Sequence, residues 1–188
     1  MRSRPATRSD LDDVTATLTA AFAGDPVWRW AFAELADLEA LWRFLLRSAL
    51  LRYPWVRMFD DASAVALWIP PGGAELTEDE AAQLEERFDG RVLELFGRFE
   101  QAHPQGPPHY YLSLLGTRPD QRGKGLGMAL LAECLEQFDT EGVPSYLESS
   151  NPVNDARYEG VGYRRVGSFS TPDGAHTLAT MWREPLIG

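Results

Sequence analysis

Cysteine is almost absent from this chain. Cys134 stands alone among 188 residues, so neither an intramolecular disulfide nor a cysteine-based zinc cluster can form. A reducing cytoplasm is the expected compartment. Lysine is equally scarce, with Lys124 the single example among eighteen basic side chains, and histidine is limited to His103, His109 and His176, a dispersed trio without metal-ligand spacing. No bound metal is expected. Long hydrophobic runs are missing too. The start, MRSRPATRSDLDDV, lacks the apolar core of a signal peptide, and AVALWI at 64–69 is far too short to cross a bilayer. No membrane partner is expected. With a formal charge of −10 and a pI near 4.8, the chain also lacks the basic balance that nucleic-acid phosphates demand, which leaves small molecules as the expected partners.

What is present is a chain long enough for one core, in which helical and strand-like spacing alternate. Residues 3–6 predict a short strand. Ser9-Asp10-Leu11-Asp12 then reads as a cap for a helix carrying Val14, Leu18, Ala21 and Phe22, which stops near Gly24-Asp25-Pro26. Leu38, Leu41, Trp42, Leu45, Leu46 and Leu50 form the stripe of a second helix over 35–51. Runs 55–59 and 63–69, split by Asp60-Asp61 and closed by Pro70-Pro71-Gly72-Gly73, predict a hairpin. Thr77-Glu78-Asp79-Glu80 is a capping box for a helical stretch through Leu84 and Phe99, interrupted or bent near Gly90. A proline-rich loop, His103 to Pro108, follows. The second half runs strand (109–117), glycine turn, helix, strand (144–148), short helix (152–160) and two strands (162–169 and 175–183). Alternating elements with antiparallel ends imply a mixed α/β sheet in one domain, 1–188, with 72–108 as a helical insertion and loop.

The turn itself, Gln121 to Gly127, reads QRGKGLG. A phosphate-cradling P-loop fails on spacing, because Lys124 precedes Gly125 and position 118 is Arg118. A dinucleotide fingerprint fails too, since its last glycine would fall on Met128 or Leu130. What remains is a turn that lets a ligand approach the backbone at a helix N-terminus, with Arg118, Arg122 and Lys124 clustered nearby: an anion site, or a solvated turn.

Arg122-x-x-Gly125-x-Gly127 between a strand and a helix resembles the acyl-CoA loop of the GNAT acetyltransferase superfamily, Q/R-x-x-G-x-G/A. Downstream, Leu147-Glu148-Ser149-Ser150 and Asn154-x-x-x-Tyr158-x-x-x-Gly162-Tyr163 are similar to the family's next segment, and Arg4-Pro5-Ala6-Thr7 to its opening. The segments AFAGDP, VALWIPP, LLGTRPDQRGKGLG and LESS most resemble the puromycin N-acetyltransferase type. The resemblance implies a GNAT-like, mostly antiparallel sheet flanked by helices, with the helical insertion before the cofactor-binding strand. It also implies a cytoplasmic N-acetyltransferase, monomer or homodimer, using acetyl-CoA and a small-molecule amine. A protein or peptide acceptor, or a non-catalytic acyl-CoA-binding module, is the alternative.

Acetyl transfer to an amine needs a held thioester, a neutral nucleophile, a stabilised oxyanion and a proton for the leaving thiolate. The resemblance assigns the pyrophosphate to the amides of Arg122, Gly123, Lys124, Gly125, Leu126 and Gly127. It assigns the pantetheine arm to the strand edge Leu115-Gly116-Thr117 and to Asn154, and the thiolate's proton to Tyr158. Gly116 within a strand would by itself signal a bulge that exposes this edge. Glu148, ending an apolar strand, is a candidate base or a surface acid, with His109 as a competing base. Trp28 and Trp30, alternating with Arg29 and Ala31, and Tyr111 either line an acceptor cleft for an apolar or aromatic amine or pack in the core.

Overall fold

A computed structural model describes residues 2–88 and 90–186. Its strands are β1 (Arg4–Pro5), β2 (Val56–Met58), β3 (Ala64–Ile69), β4 (Tyr110–Thr117), β5 (Ser145–Ser149), β6 (Arg164–Ser170) and β7 (Thr177–Arg183). The helices are α1 (Leu11–Phe22), α2 (Pro26–Ala31), α3 (Leu35–Arg52), α4 (Glu78–Arg87), α5 (Gly90–Ala102), α6 (Leu126–Glu141) and α7 (Asp155–Glu159). The strands form one seven-stranded sheet in the order β1-β2-β3-β4-β5-β7-β6. Every neighbouring pair is antiparallel except β4 and β5.

The centre of the sheet is buried on both faces. Val65, Leu67 and Ile69 of β3 join the core under α1 and α3 with Leu18, Leu41, Trp42 and Leu46. Ala64, Ala66 and Trp68, on the opposite face, pack with Leu130, Leu131 and Phe138 of α6. A strand covered on both sides has no polar alternation to show, which is why AVALWI reads as an unbroken apolar run.

Three local expectations are corrected. The first helix is entered through Thr7 and Asp10 rather than Ser9 and Asp12. The Thr7 N–H donates to Asp10 Oδ2 at 2.8 Å, and a short 3-10 turn, Arg8–Asp10, leads into α1. Arg4 donates to both oxygens of the same carboxylate at 2.8 and 2.9 Å and holds it well below the usual range. Second, α1 stops before Gly24-Asp25-Pro26 as expected, but the alternation of Trp28 and Trp30 falls on a new helix: Asp25 Oδ1 accepts from the amides of Val27 and Trp28 at 3.0 and 3.2 Å, with Pro26 at the first helical position. Residues two apart on a helix point to nearly opposite sides. Trp28 is therefore buried while Trp30 is only partly buried at the core's margin, its indole N–H donating to Asp173 at 2.6 Å. Third, the bulge expected at Gly116 is at Ser113. Leu67 and Trp68, adjacent on β3, pair with Leu114 and Leu112, so Ser113 is the extra residue.

The interruption expected near Gly90 is present, with α4 stopping at Arg87, Phe88 extended and α5 starting at Gly90.

Candidate functional site

An extra residue in a strand shifts the pleat by one, and the faces change places across Ser113. Tyr110 and Leu112 point to the α6 core, whereas Leu114 points to the α1 core. Gly116 then lies against α1, where a Cβ would stand 2.8 Å from both Leu18 Cδ2 and Ala21 Cβ. The last rung between β4 and β5 is Leu112 with Leu147. Beyond it β4 keeps only β3 as a partner, and its other edge, from Ser113 to Thr117, is open.

The glycine turn sits at the end of that open edge. Gly123 and Gly125 adopt left-handed conformations, φ +82° and +73°, which side chains disfavour. Gly127 is required for space instead, because a Cβ there would lie 2.7 Å from Thr117 Oγ1. The Ala129 N–H donates to the Gly125 carbonyl at 2.9 Å. Ahead of it, the amides of Leu126, Gly127 and Met128 have no acceptor among the described residues, as expected where a helix begins. The nearby cations differ in placement. Arg118 is closed into a pair with Asp120 at 2.8 Å, and Lys124 Nζ donates to Gln121 Oε1 at 2.6 Å on the exposed side. Arg122, which donates to the Ala21 carbonyl at 2.8 Å, lines the cavity beside the turn.

This cavity, of about 550 Å³, runs between Leu115-Gly116-Thr117 and the turn on one side and Asn154, Arg157 and Tyr158 on the other. Asn154 Oδ1 accepts from Arg157 Nη1 at 3.1 Å. The Tyr158 hydroxyl has no hydrogen-bond partner among the described residues. Burial, then the charges of Asp25 and Asp155, push it up to about 12, so it keeps its proton at neutral pH.

A smaller cavity of about 50 Å³ adjoins the first, sharing Phe22, Asp25, Leu115, Asn154 and Tyr158. Glu148 lines it, with Oε1 closed to solvent and unpartnered. Burial raises its carboxyl to about 8, against the downward pull of the Tyr146 and Tyr111 hydroxyls and with a further push from Glu75. Asp25 Oδ2 accepts from Ser150 Oγ at 2.7 Å, and burial raises this carboxyl too. Trp28 is part of the wall, whereas Trp30 and Tyr111 stand outside both linings. His109 is also outside. Its Nδ1–H donates to the Pro107 carbonyl at 2.9 Å and its Nε2 meets His103 Nε2 at 3.1 Å. Asp25, Ser113 and Arg157 are lining residues that sequence reasoning missed. Only Asp25 carried a local signal, an Asp-Pro helix start.

Residues 77–163 match the model of the Acetyltransferase (GNAT) family. Among solved structures, one described as histone acetyltransferase HPA2 and related acetyltransferase from Corynebacterium glutamicum is 25% identical, with 99% of this chain and 97% of that one covered and a TM-score of 0.73. Arylalkylamine N-acetyltransferase 2 from Aedes aegypti, 17% identical over 98% of this chain and 99% of its own, has a TM-score of 0.70. An agmatine N-acetyltransferase has the same TM-score at 15% identity, covering 96% and 97%.

Proposed function

We propose that the chain is an N-acetyltransferase of the GNAT family, with acetyl-CoA as its donor and the primary amine of a small molecule as its acceptor, attacked directly. The observation that carries this reading is the junction of two unlike cavities at Tyr158: one bordered by a glycine turn with free amides, the other lined by carboxylates without a basic side chain. Within the family we place the chain nearest the puromycin N-acetyltransferase type, as one cytoplasmic domain, 1–188.

The larger cavity fits the donor. The unpaired amides of Leu126 to Met128 and the close approach at Gly127 suit a phosphate group against the backbone, with Arg122 adding charge. The open edge at Leu115 to Thr117, facing Asn154, suits an extended amide-bearing arm. Acetyl-CoA, when bound, supplies the activated acetyl group and the thiol leaving group. Tyr158 holds a proton at neutral pH where the two cavities meet, the position a general acid needs. Glu148 takes the proton that an ammonium must lose before it becomes a nucleophile. A carboxyl titrating near 8 is far more basic than an ordinary carboxylate, and it is ionised in an increasing fraction of molecules as pH rises.

The test is release of free thiol from acetyl-CoA in the presence of primary amines, among them 2-phenylethylamine and agmatine, and of peptides with free N-termini or lysines. Turnover with small amines is the expected result. Turnover with peptides alone would move the acceptor to proteins, and CoA binding without turnover would make the chain an acyl-CoA-binding module.

A further inference from the structure

The smaller cavity lies where the ladder between β4 and β5 runs out. Tyr111 and Tyr146 oppose each other on its rungs, so two residues further along each strand Ser113 is set opposite Glu148, just past the last rung. Both line the cavity. Glu148 Oε1 is buried without a partner, and the Ser113 hydroxyl donates its hydrogen to Glu75 Oε1. A serine hydroxyl has only one hydrogen. With that hydrogen committed to Glu75, Ser113 Oγ offers the cavity lone pairs alone, and an ionised Glu148 likewise only accepts. Among the described residues no lysine, arginine or histidine lines the space, and Asp25 adds a second carboxylate. With Glu148 ionised, such a surface suits a cation carrying several N–H donors and repels an anion. The space is small, about 50 Å³, and is bordered by the rings of Phe22, Trp28 and Phe99, which disfavours a branched or N-methylated head group.

We propose that Ser113, oriented by Glu75, forms with Glu148 the seat for the acceptor's ammonium group, and that this seat selects an unbranched primary amine, CH2–NH3+. The proposal rests on the amine-acceptor reading above and names its substrate class. Ser113 is a binding residue; Glu75 is a positioning residue acting through it. Glu75 is itself held from α3, since Arg52 Nη2 donates both to the Glu75 carbonyl and to Ser48 Oγ.

Calorimetry on the protein saturated with CoA measures binding of 2-phenylethylamine, its α-methyl analogue and its N,N-dimethyl analogue. The unbranched primary amine should bind at least about tenfold more tightly than either analogue. Ser113→Ala should weaken it roughly ten- to a hundredfold, the worth of one hydrogen bond to a charged group, raising KM far more than it lowers kcat. Glu75→Ala should act similarly by freeing the Ser113 hydrogen. Glu75→Gln, whose amide oxygen still accepts that hydrogen, should recover most of the affinity. It should also move the acid limb of kcat/KM to lower pH, because losing the Glu75 charge eases ionisation of Glu148 while Tyr111, Tyr146, Asp25 and Tyr158 around it are unchanged. A CoA-dependent rise in melting temperature reports that each variant is folded. If Ser113→Ala does not fold, the analogue series on the unmodified protein decides. Unchanged binding in Ser113→Ala, no preference among the three amines, or Glu75→Gln no better than Glu75→Ala overturns the seat and leaves the amine reading standing. A protein that binds CoA and accepts no amine overturns both.

Discussion

The two cavities are built by different means. The larger one is mostly backbone: an open strand edge, a turn with two left-handed glycines and the free amides of a helix start, all between Leu115 and Met128, faced by 151–158. The smaller one is made of side chains converging from α1, α2, α5, the bulge of β4, the end of β5 and α7. A site built from backbone needs particular residues at fixed spacing along one segment. A site built from side chains needs only that several segments meet, and its residue types are free to change with the ligand.

Tyr158→Phe tests the junction that both cavities share and should have the largest effect. Turnover should fall roughly 10²–10⁴-fold, the usual span for a positioned general acid, while acetyl-CoA affinity measured by titration stays nearly constant. Full activity would remove Tyr158 from the chemistry and reduce the junction to a packing contact.

Glu148→Gln acts on the smaller cavity alone. Wild-type kcat/KM should rise with pH through about 8 as the carboxyl ionises, and the variant should be slower and lack that rise. Stability supplies a second readout. A carboxyl raised in the fold from 4.5 to about 8 binds its proton more tightly when folded, so its contribution is present at low pH and is lost as pH climbs from 4.5 through 8. Melting temperature should therefore drop more between pH 5 and 9 in the wild type than in Glu148→Gln. Parallel curves would place the raised titration elsewhere.

Gly127→Ala and Gly116→Ala separate the larger cavity from ordinary packing. Each Cβ meets a neighbour at under 3 Å, Thr117 Oγ1 in one case and the α1 side chains in the other, and each should cost on the order of 1–3 kcal/mol in denaturant melts. Gly116 also borders the cavity, but its Cβ would point at α1 and leave the open strand edge in place, so only Gly127→Ala should also lose protection by CoA. Equal loss in both would mean that the turn is no more specialised than the strand behind it. The smallest effect is expected from Lys124→Ala. Lys124 is exposed and outside the cavity lining, so CoA affinity should change by no more than about threefold.

The same contrast explains what was legible in the sequence. Arg122, Gly125, Gly127, Asn154 and Tyr158, which line the larger cavity, are legible as candidates because one short segment sets the geometry of each. Ser113 was not, because a bulge depends on which residues of β3 face it, and no pattern within β4 records that. The alternation of Trp28 and Trp30 suggested a shared face, which holds for extended chain. Six residues of α2 are too few to display a helical period, and the cap at Asp25 was the only sign that the period had changed. The strand order, with β7 between β5 and β6, was likewise beyond local spacing.

Asp25 also bears on how the chain comes to be made. One of its oxygens is satisfied by amides two and three residues away, whereas the other waits for Ser150, 125 positions further on. At a synthesis rate of about 5–20 residues per second, that interval lasts roughly ten seconds, during which the carboxylate remains in water and α2 has only its own cap. Closing so long a loop comes late in folding, because distant contacts are made at the expense of chain entropy before they return any stability. Both cavities use Asp25 as a wall. The nascent first half can therefore hold helices and a hairpin while neither pocket yet exists, and the site is completed only when the end of β5 and then α7 arrive.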